Sequence, residues 1–185
     1  MKAGKIIFLN GVTSSGKTTI SKAVQEIADK QFYHLSNDMF FSIEFQMLHM
    51  KYIEKAGTKA EDKYMTEAIV MMYHFAKAVA EQGINIIIDG MLEENVGFVE
   101  YYEKSNYDIV LDIFAGADML MVEVFCPLEK CRRRNIARGD RGENQSYEQN
   151  EMMNKTIKYD YFIDTSIDDA NECANKILNK LYCTQ

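Results

Sequence analysis

Residues 11–18, Gly-Val-Thr-Ser-Ser-Gly-Lys-Thr, fit the pattern G-x-x-x-x-G-K-[ST] at every defined position. An apolar run, Lys5-Ile6-Ile7-Phe8-Leu9-Asn10, precedes it and reads as a buried strand. A helical pattern follows, with Ile20, Ala23, Val24, Ile27 and Ala28 on one face. A strand that turns through glycines into a helix N-terminus leaves several backbone N–H groups unpaired. Together with the positive end of the helix dipole they make an anion site. Such a loop suits the phosphates of ATP, with Lys17 reaching the β- and γ-phosphates and the Thr18 hydroxyl ligating Mg²⁺. The candidate nucleotide contacts are therefore Gly11, Val12, Thr13, Ser14, Ser15, Gly16, Lys17, Thr18 and Thr19.

The 185 residues suffice for one well-packed domain and are short for two, and one proline with no Gly/Ser-rich stretch gives no evident linker. The net charge of −7 argues against general nucleic-acid affinity, which needs many Lys and Arg on phosphates. A small anionic ligand needs only a local positive pocket. Cys126, Cys131, Cys173 and Cys183 show no C-x-x-C spacing, so reduced thiols and a cytoplasmic location are expected. No apolar run approaches 18 residues, so no membrane span is expected. The twelve methionines fall mostly at helical core spacing.

Strand-type and helix-type segments alternate along the chain. A second strand is expected over Phe32–Leu35, ending at Ser36-Asn37-Asp38, then a helix over roughly 39–50. A polar loop should cover 51–62, and a long amphipathic helix 63–82, stopped at Gln82-Gly83. Strands follow at 84–88, ending in Asp89-Gly90, at 119–125 and at 160–165. Helices are expected over most of 96–115, over 128–138 behind Pro127, and in the closing segment from Ala170 to Leu181. Residues 139–146 read as a mobile loop. Strands without polar alternation, separated by helices, indicate an α/β fold with a five-stranded parallel sheet covered on both faces. Ligands of such sheets bind at the carboxyl ends of the strands, where residues 10–11, Asp38, Asp89 and the 138–141 segment all converge.

Asp89 ends an apolar strand, where a carboxylate can hold Mg²⁺ or can serve as a turn or N-cap residue. Asp38 can accept the proton of an attacking hydroxyl, or can cap a helix that starts at Met39. Arg134, Arg138 and Arg141 can stabilise charge on a transferring phosphoryl group, whereas Arg132 and Arg133 read as a solvated helix end. His34, His49 and His74 are scattered, with no carboxylate pattern around them, and read as surface or core residues. A GTPase is disfavoured: Asn154-Lys155 is followed by Thr156-Ile157, not by the guanine-reading N-K-x-D.

The P-loop, Asp38, Ile86-Ile-Ile-Asp89, Arg134-Asn-Ile-Ala-Arg-Gly-Asp-Arg141, Tyr159-Asp160 and Asp164-Thr165 resemble, in order and spacing, the chloramphenicol phosphotransferase-like family of P-loop kinases. The resemblance implies a nucleoside-kinase-like core and an ATP-dependent O-phosphotransferase with a small-molecule hydroxyl acceptor. It implies Asp38 as the base, Arg134, Arg138 and Arg141 as lid arginines over 138–147, and Thr165 near the adenine. Antibiotic resistance is one outcome that such phosphorylation would produce. The chain departs from the family at 39–62, the acceptor-binding excursion, at Asn154, where members carry a histidine, and over 96–118, which is longer. A nucleotide-binding, toxin-like or regulatory protein acting on a macromolecule or cell-wall precursor, and a nucleoside or nucleotide kinase, remain open alternatives. Homo-oligomerisation is also left open.

Overall fold

The computed structural model of the chain describes residues 2–40, 58–94 and 96–183. Its centre is β1 (Ile6–Asn10), in which Ile6, Ile7, Phe8 and Leu9 are fully buried. On one side lies β3 (Asn85–Gly90), then β2 (Phe32–Ser36). On the other lies β4 (Met119–Phe125), then β5 (Tyr161–Asp164). All four pairings are parallel, in the order β2-β3-β1-β4-β5. After β1 the chain builds β2 and β3 to one side and then crosses to build β4 and β5 on the other. The crevice where the order reverses therefore opens at the carboxyl end of β1.

Alternate residues of each strand serve two cores. Ile6, Phe8, Ile86, Ile88 and Met121 face α3 (Thr58–Glu81) and α5 (Asn106–Ile113), packing on Met72, Tyr73, Ala76 and Val110. Ile7, Leu9, Ile87, Val122 and Ile163 face α1 (Lys17–Ile27) and α8 (Ala170–Cys183), packing on Ile20, Val24, Ala174 and Ile177. A strand apolar on both faces is stable only under helices on both sides, which is why β1 sits in the middle.

The remaining helices are α2 (Asn37–Phe40), α4 (Val96–Tyr102), α6 (Leu128–Arg138) and α7 (Gln145–Met152). Several boundaries differ from the sequence reading. The expected helix at 39–50 and loop at 51–57 lie outside the described residues, apart from Met39 and Phe40, which end α2. Residues 58–62, expected as loop, open α3. Lys59, Ala60 and Glu61 are good helix formers, and a turn without an apolar stripe gives no periodic signal. Residues 145–146, also expected as loop, begin α7, a polar helix that buries little beyond Ser146. Residues 96–115 cannot be phased as one helix because they form two. Glu103, at φ 55°, ends the first. Ser105 starts the second with a capping box, its Oγ accepting from the Asp108 N–H at 3.1 Å and its N–H donating to the Asp108 carboxylate at 3.3 Å.

Asn10 ties the crevice together from below. Its amide is fully buried, donates to the Tyr159 hydroxyl at 2.6 Å and accepts from the Leu92 N–H at 2.7 Å. Three separate chain segments thus meet at the end of β1. Asn10→Leu is expected to lower unfolding free energy by at least about 1–3 kcal/mol, because the Leu92 donor is left buried and unpaired. Chemical denaturation measures this, and an unchanged midpoint would contradict the bridging role.

Candidate active site

The loop from Gly11 to Thr18 rises from β1 and enters α1 through two backbone constraints. A Cβ on Gly11 would lie 2.5 Å from the Val124 carbonyl oxygen, so only glycine lets the loop pass so close to β4. Gly16 takes φ 111°, a left-handed conformation, at the start of α1. The outer edge of the loop is held by hydrogen bonds. Arg134 donates to the Ser14 carbonyl at 3.0 Å and to Thr165 Oγ1 and O at 3.2 and 3.1 Å. The Thr165 hydroxyl donates to the Ser15 carbonyl at 2.6 Å. In a planar trans peptide the N–H points opposite to the C=O, so anchoring the Ser15 carbonyl also fixes the direction of the Gly16 N–H.

Lys17 donates through Nζ to the carbonyls of Gly11 and Val12 at 2.8 and 3.0 Å and lies 3.7 Å from Asp89 Oδ1. Burial draws its pKa below the ordinary lysine value, against the pull of Asp89 and Asp38. The Thr18 hydroxyl donates to Asp89 Oδ2 at 2.6 Å. Burial alone would raise the Asp89 pKa, but His34, Lys17 and Thr18 outweigh it and hold the carboxyl below its usual range. Its contribution to stability is therefore present above the unfolded carboxyl's pKa and is lost as pH falls through the lower folded value. A hydroxyl and an ionised carboxylate side by side form an oxygen donor pair suited to a hard divalent cation such as Mg²⁺.

Across the cavity, Arg141 donates to Asp38 Oδ2 at 2.6 Å. Asp38 stands in the first turn of α2, which begins at Asn37, so it is not the N-cap of a helix starting at Met39. Arg138 grips Asp140 with two hydrogen bonds of 3.0 Å. The cavity these groups enclose has a volume of about 620 Å³. It is lined by Gly11, Thr13, Ser14, Gly16, Lys17, Thr18 and Thr19, and by Asp38, Asp89, Arg134, Arg138, Arg141 and Thr165. Val12 and Ser15 are buried behind it. Val12 packs on Cys126 and Cys131, so these two loop residues can contribute only backbone.

The sequence reading missed four groups at this site. Gln149 on α7 accepts from the Thr13 N–H at 2.5 Å, and its polar helix gave no periodic signal. Asp168 and Cys173 line the far end beyond Thr165, where burial pushes the Cys173 thiol up to about 11. His34, read as a surface or core residue, places Nε2 3.5 Å from Asp89. Strand pairing brings the two together across a gap of 55 residues, which spacing alone does not show. Asn154 holds a turn, its Oδ1 accepting from the N–H and hydroxyl of Thr156 at 2.8 and 2.7 Å. The four cysteines are free. No helix of the described residues is long and apolar enough to cross a membrane.

A model of the family described as chloramphenicol phosphotransferase-like protein matches residues 4–182. The chain is 25% identical, over 96% of its length and 82% of the relative's, to a "Putative O-phosphotransferase" of Mycobacterium tuberculosis. Two solved structures share the fold. One is an APS kinase from M. tuberculosis in complex with AMPPNP and APS, with a TM-score of 0.64 and 16% identity over 98% of this chain and 99% of that one. The other is a shikimate kinase from Acinetobacter baumannii in complex with shikimate, with a TM-score of 0.63 and 15% identity over 100% and 96%.

The loop geometry makes a direct prediction. In Gly16→Ala the new methyl meets Thr165 Cγ2 at 3.2 Å in a left-handed backbone. Thermal or chemical denaturation is expected to show a loss of about 1–2 kcal/mol. A variant as stable as the parent would mean that the loop can relax.

Proposed function

Because the chain belongs to the chloramphenicol phosphotransferase-like family, we propose that it transfers the γ-phosphoryl group of ATP to a hydroxyl of a small molecule. The observation that carries this reading is the sharing of one cavity. Residues of a phosphate-loop pattern, a carboxylate suited to act as a base (Asp38) and the arginines Arg134, Arg138 and Arg141 all line it. Phosphoryl transfer asks a protein mainly to position the reactants and to stabilise charge on the moving group.

In this reading Lys17 and backbone N–H groups of the loop hold the β- and γ-phosphates. Thr18 and Asp89 would hold Mg²⁺, which neutralises phosphate charge when bound. Two protein oxygens leave the rest of a cation's coordination to phosphates and water, as is usual for Mg²⁺. Arg134 is already fixed between the loop and Thr165, so it supports the nucleotide end. Arg141 and Arg138 stand at the start of the 139–144 loop, from which they can turn toward the transferring group. Asp38 receives the proton of the acceptor hydroxyl as the new P–O bond forms and the bond from the γ-phosphorus to the bridging oxygen breaks, releasing ADP.

The Arg141–Asp38 pair does not obstruct this. Asp38 is 69% exposed, and an exposed pair is worth about 0–1 kcal/mol, so an acceptor hydroxyl can displace the arginine cheaply. The freed guanidinium can then turn to phosphoryl oxygens. Cytoplasmic residence fits the reading, since reduced thiols and ATP occur together there.

Saturating MgATP is expected to raise the melting temperature, since ligand at a hundredfold excess over Kd adds about 2.7 kcal/mol. Lys17→Ala should abolish the shift, and an equal shift in that variant would place the nucleotide elsewhere. Acceptor-dependent ADP release across a library of hydroxylated metabolites and antibiotics tests the reaction itself. Hydrolysis of ATP that no acceptor stimulates would favour a regulatory or toxin-like role. With an acceptor in hand, Asp38→Asn should slow turnover by roughly 10²–10⁴ and leave ATP affinity unchanged. Turnover near that of the parent would remove Asp38 from the chemistry.

A further inference from the structure

Asp89 has a neighbour that the proposed reaction does not use. In the parallel pairing of β2 with β3, His34 stands opposite Ile87 and Ser36 opposite Asp89. His34 and Asp89 therefore lie on the same face of the sheet, the face that also carries Phe32 and Ile87 against α1. His34 Nε2 is 3.5 Å from Asp89 Oδ2. The imidazole is 16% exposed, and its Nε2 is sealed from solvent and makes no hydrogen bond of good geometry, to Asp89 or to any other group. The same Oδ2 already accepts the Thr18 hydroxyl at 2.6 Å. The other oxygen, Oδ1, lies 3.7 Å from Lys17 Nζ.

Oδ2 thus has two candidate donors, Thr18 and His34, and Oδ1 has Lys17. We propose that His34 is a positioning residue for the cation site: its Nε2–H holds Asp89 Oδ2 and so fixes the carboxylate for the divalent cation that accompanies the nucleotide. The inference rests on the nucleotide reading above and adds a residue that lies outside the cavity lining. It needs only the neutral ring with its proton on Nε2. A carboxylate held at one oxygen cannot rotate away when the Thr18 hydroxyl reorients toward a metal. Partners of this kind behind a metal ligand typically change metal affinity by about 10- to 100-fold. An apolar side chain would fill the same place beside Phe32 without holding the carboxylate.

The test is ADP binding by calorimetry, with Mg²⁺ and with a chelator, in the parent, His34→Met and His34→Gln. Methionine fills the space without a donor, and the glutamine amide nitrogen reaches about where Nε2 lies. The parent should bind ADP more tightly with Mg²⁺. His34→Met should lose about 10- to 100-fold in the Mg²⁺ affinity of the nucleotide-bound protein while its Mg²⁺-free ADP affinity stays unchanged, and His34→Gln should recover most of the loss. Parent-like Mg²⁺ dependence in His34→Met would overturn the proposal. An equal loss with and without Mg²⁺ would also overturn it, by assigning His34 to packing. If His34→Met does not fold, the ¹⁵N imidazole signals of the parent decide: Nε2 must shift when Mg²⁺ is titrated into the ADP complex, and a silent Nε2 refutes the contact. A parent that binds ADP no better with Mg²⁺ brings down the cation reading itself, and that result appears before any variant is made.

Discussion

The architecture of the site depends on where the loop carbonyls go. Backbone groups come in opposed pairs across a planar peptide, so a loop can aim N–H groups into a cavity only if its carbonyls find partners elsewhere. Here Thr165 and Arg134 take the Ser14 and Ser15 carbonyls, and Lys17 takes those of Gly11 and Val12. Arg134 comes from α6, and Thr165 directly follows β5, an edge strand of the sheet. The loop's shape is thus set by elements more than a hundred residues downstream. β5 reaches it only because β4 places it, with the Thr165 N–H donating to the Phe125 carbonyl at 3.0 Å.

This dependence explains what the sequence could and could not convey. The loop and its flanking strand and helix were legible because a local pattern encodes them: an apolar run, two glycines and a Lys-Thr pair within thirteen residues. The parallel sheet was legible from strands that are apolar on both faces. Asp38, Asp89 and the arginines were legible as residues at strand or helix ends on one edge. His34 was not, because its meaning lies in the register of β2 against β3, which no spacing in the chain encodes. Gln149 was not, because α7 is polar almost throughout and leaves no stripe to read. The second half of 96–115 hid its break in a capping box and a single left-handed residue, Glu103, whose conformation is uncommon for its type.

Composition misleads about the site in an instructive way. The chain carries seven more acidic than basic charges, yet four cations, Lys17, Arg134, Arg138 and Arg141, line one cavity. An average charge governs long-range behaviour, and salt at physiological strength screens it beyond about 8 Å. Within the cavity only local groups count, and these are cationic toward the loop and anionic at Asp38 and Asp89.

Burial then divides those charges into two kinds. Asp89 and Lys17 have side-chain exposures of 7% and 11%, so their attraction is poorly screened and their removal would strand a partner. They behave as fixed parts of the site, and Thr18 and His34 close around the same carboxylate. The Arg141–Asp38 and Arg138–Asp140 pairs have exposed carboxylates, with Asp38 at 69% and Asp140 at 58%, so solvent and salt screen their attraction. Such pairs hold arginines near the site without committing them. On the reading proposed above, a group that exchanges a carboxylate for a phosphoryl oxygen during each turnover needs that weakness, because a buried pair of the Asp89 type would cost several times more to open. The same cavity therefore combines a buried floor at Lys17 and Asp89 with arginines whose carboxylate partners are exposed, and the difference follows from how deeply each carboxylate lies.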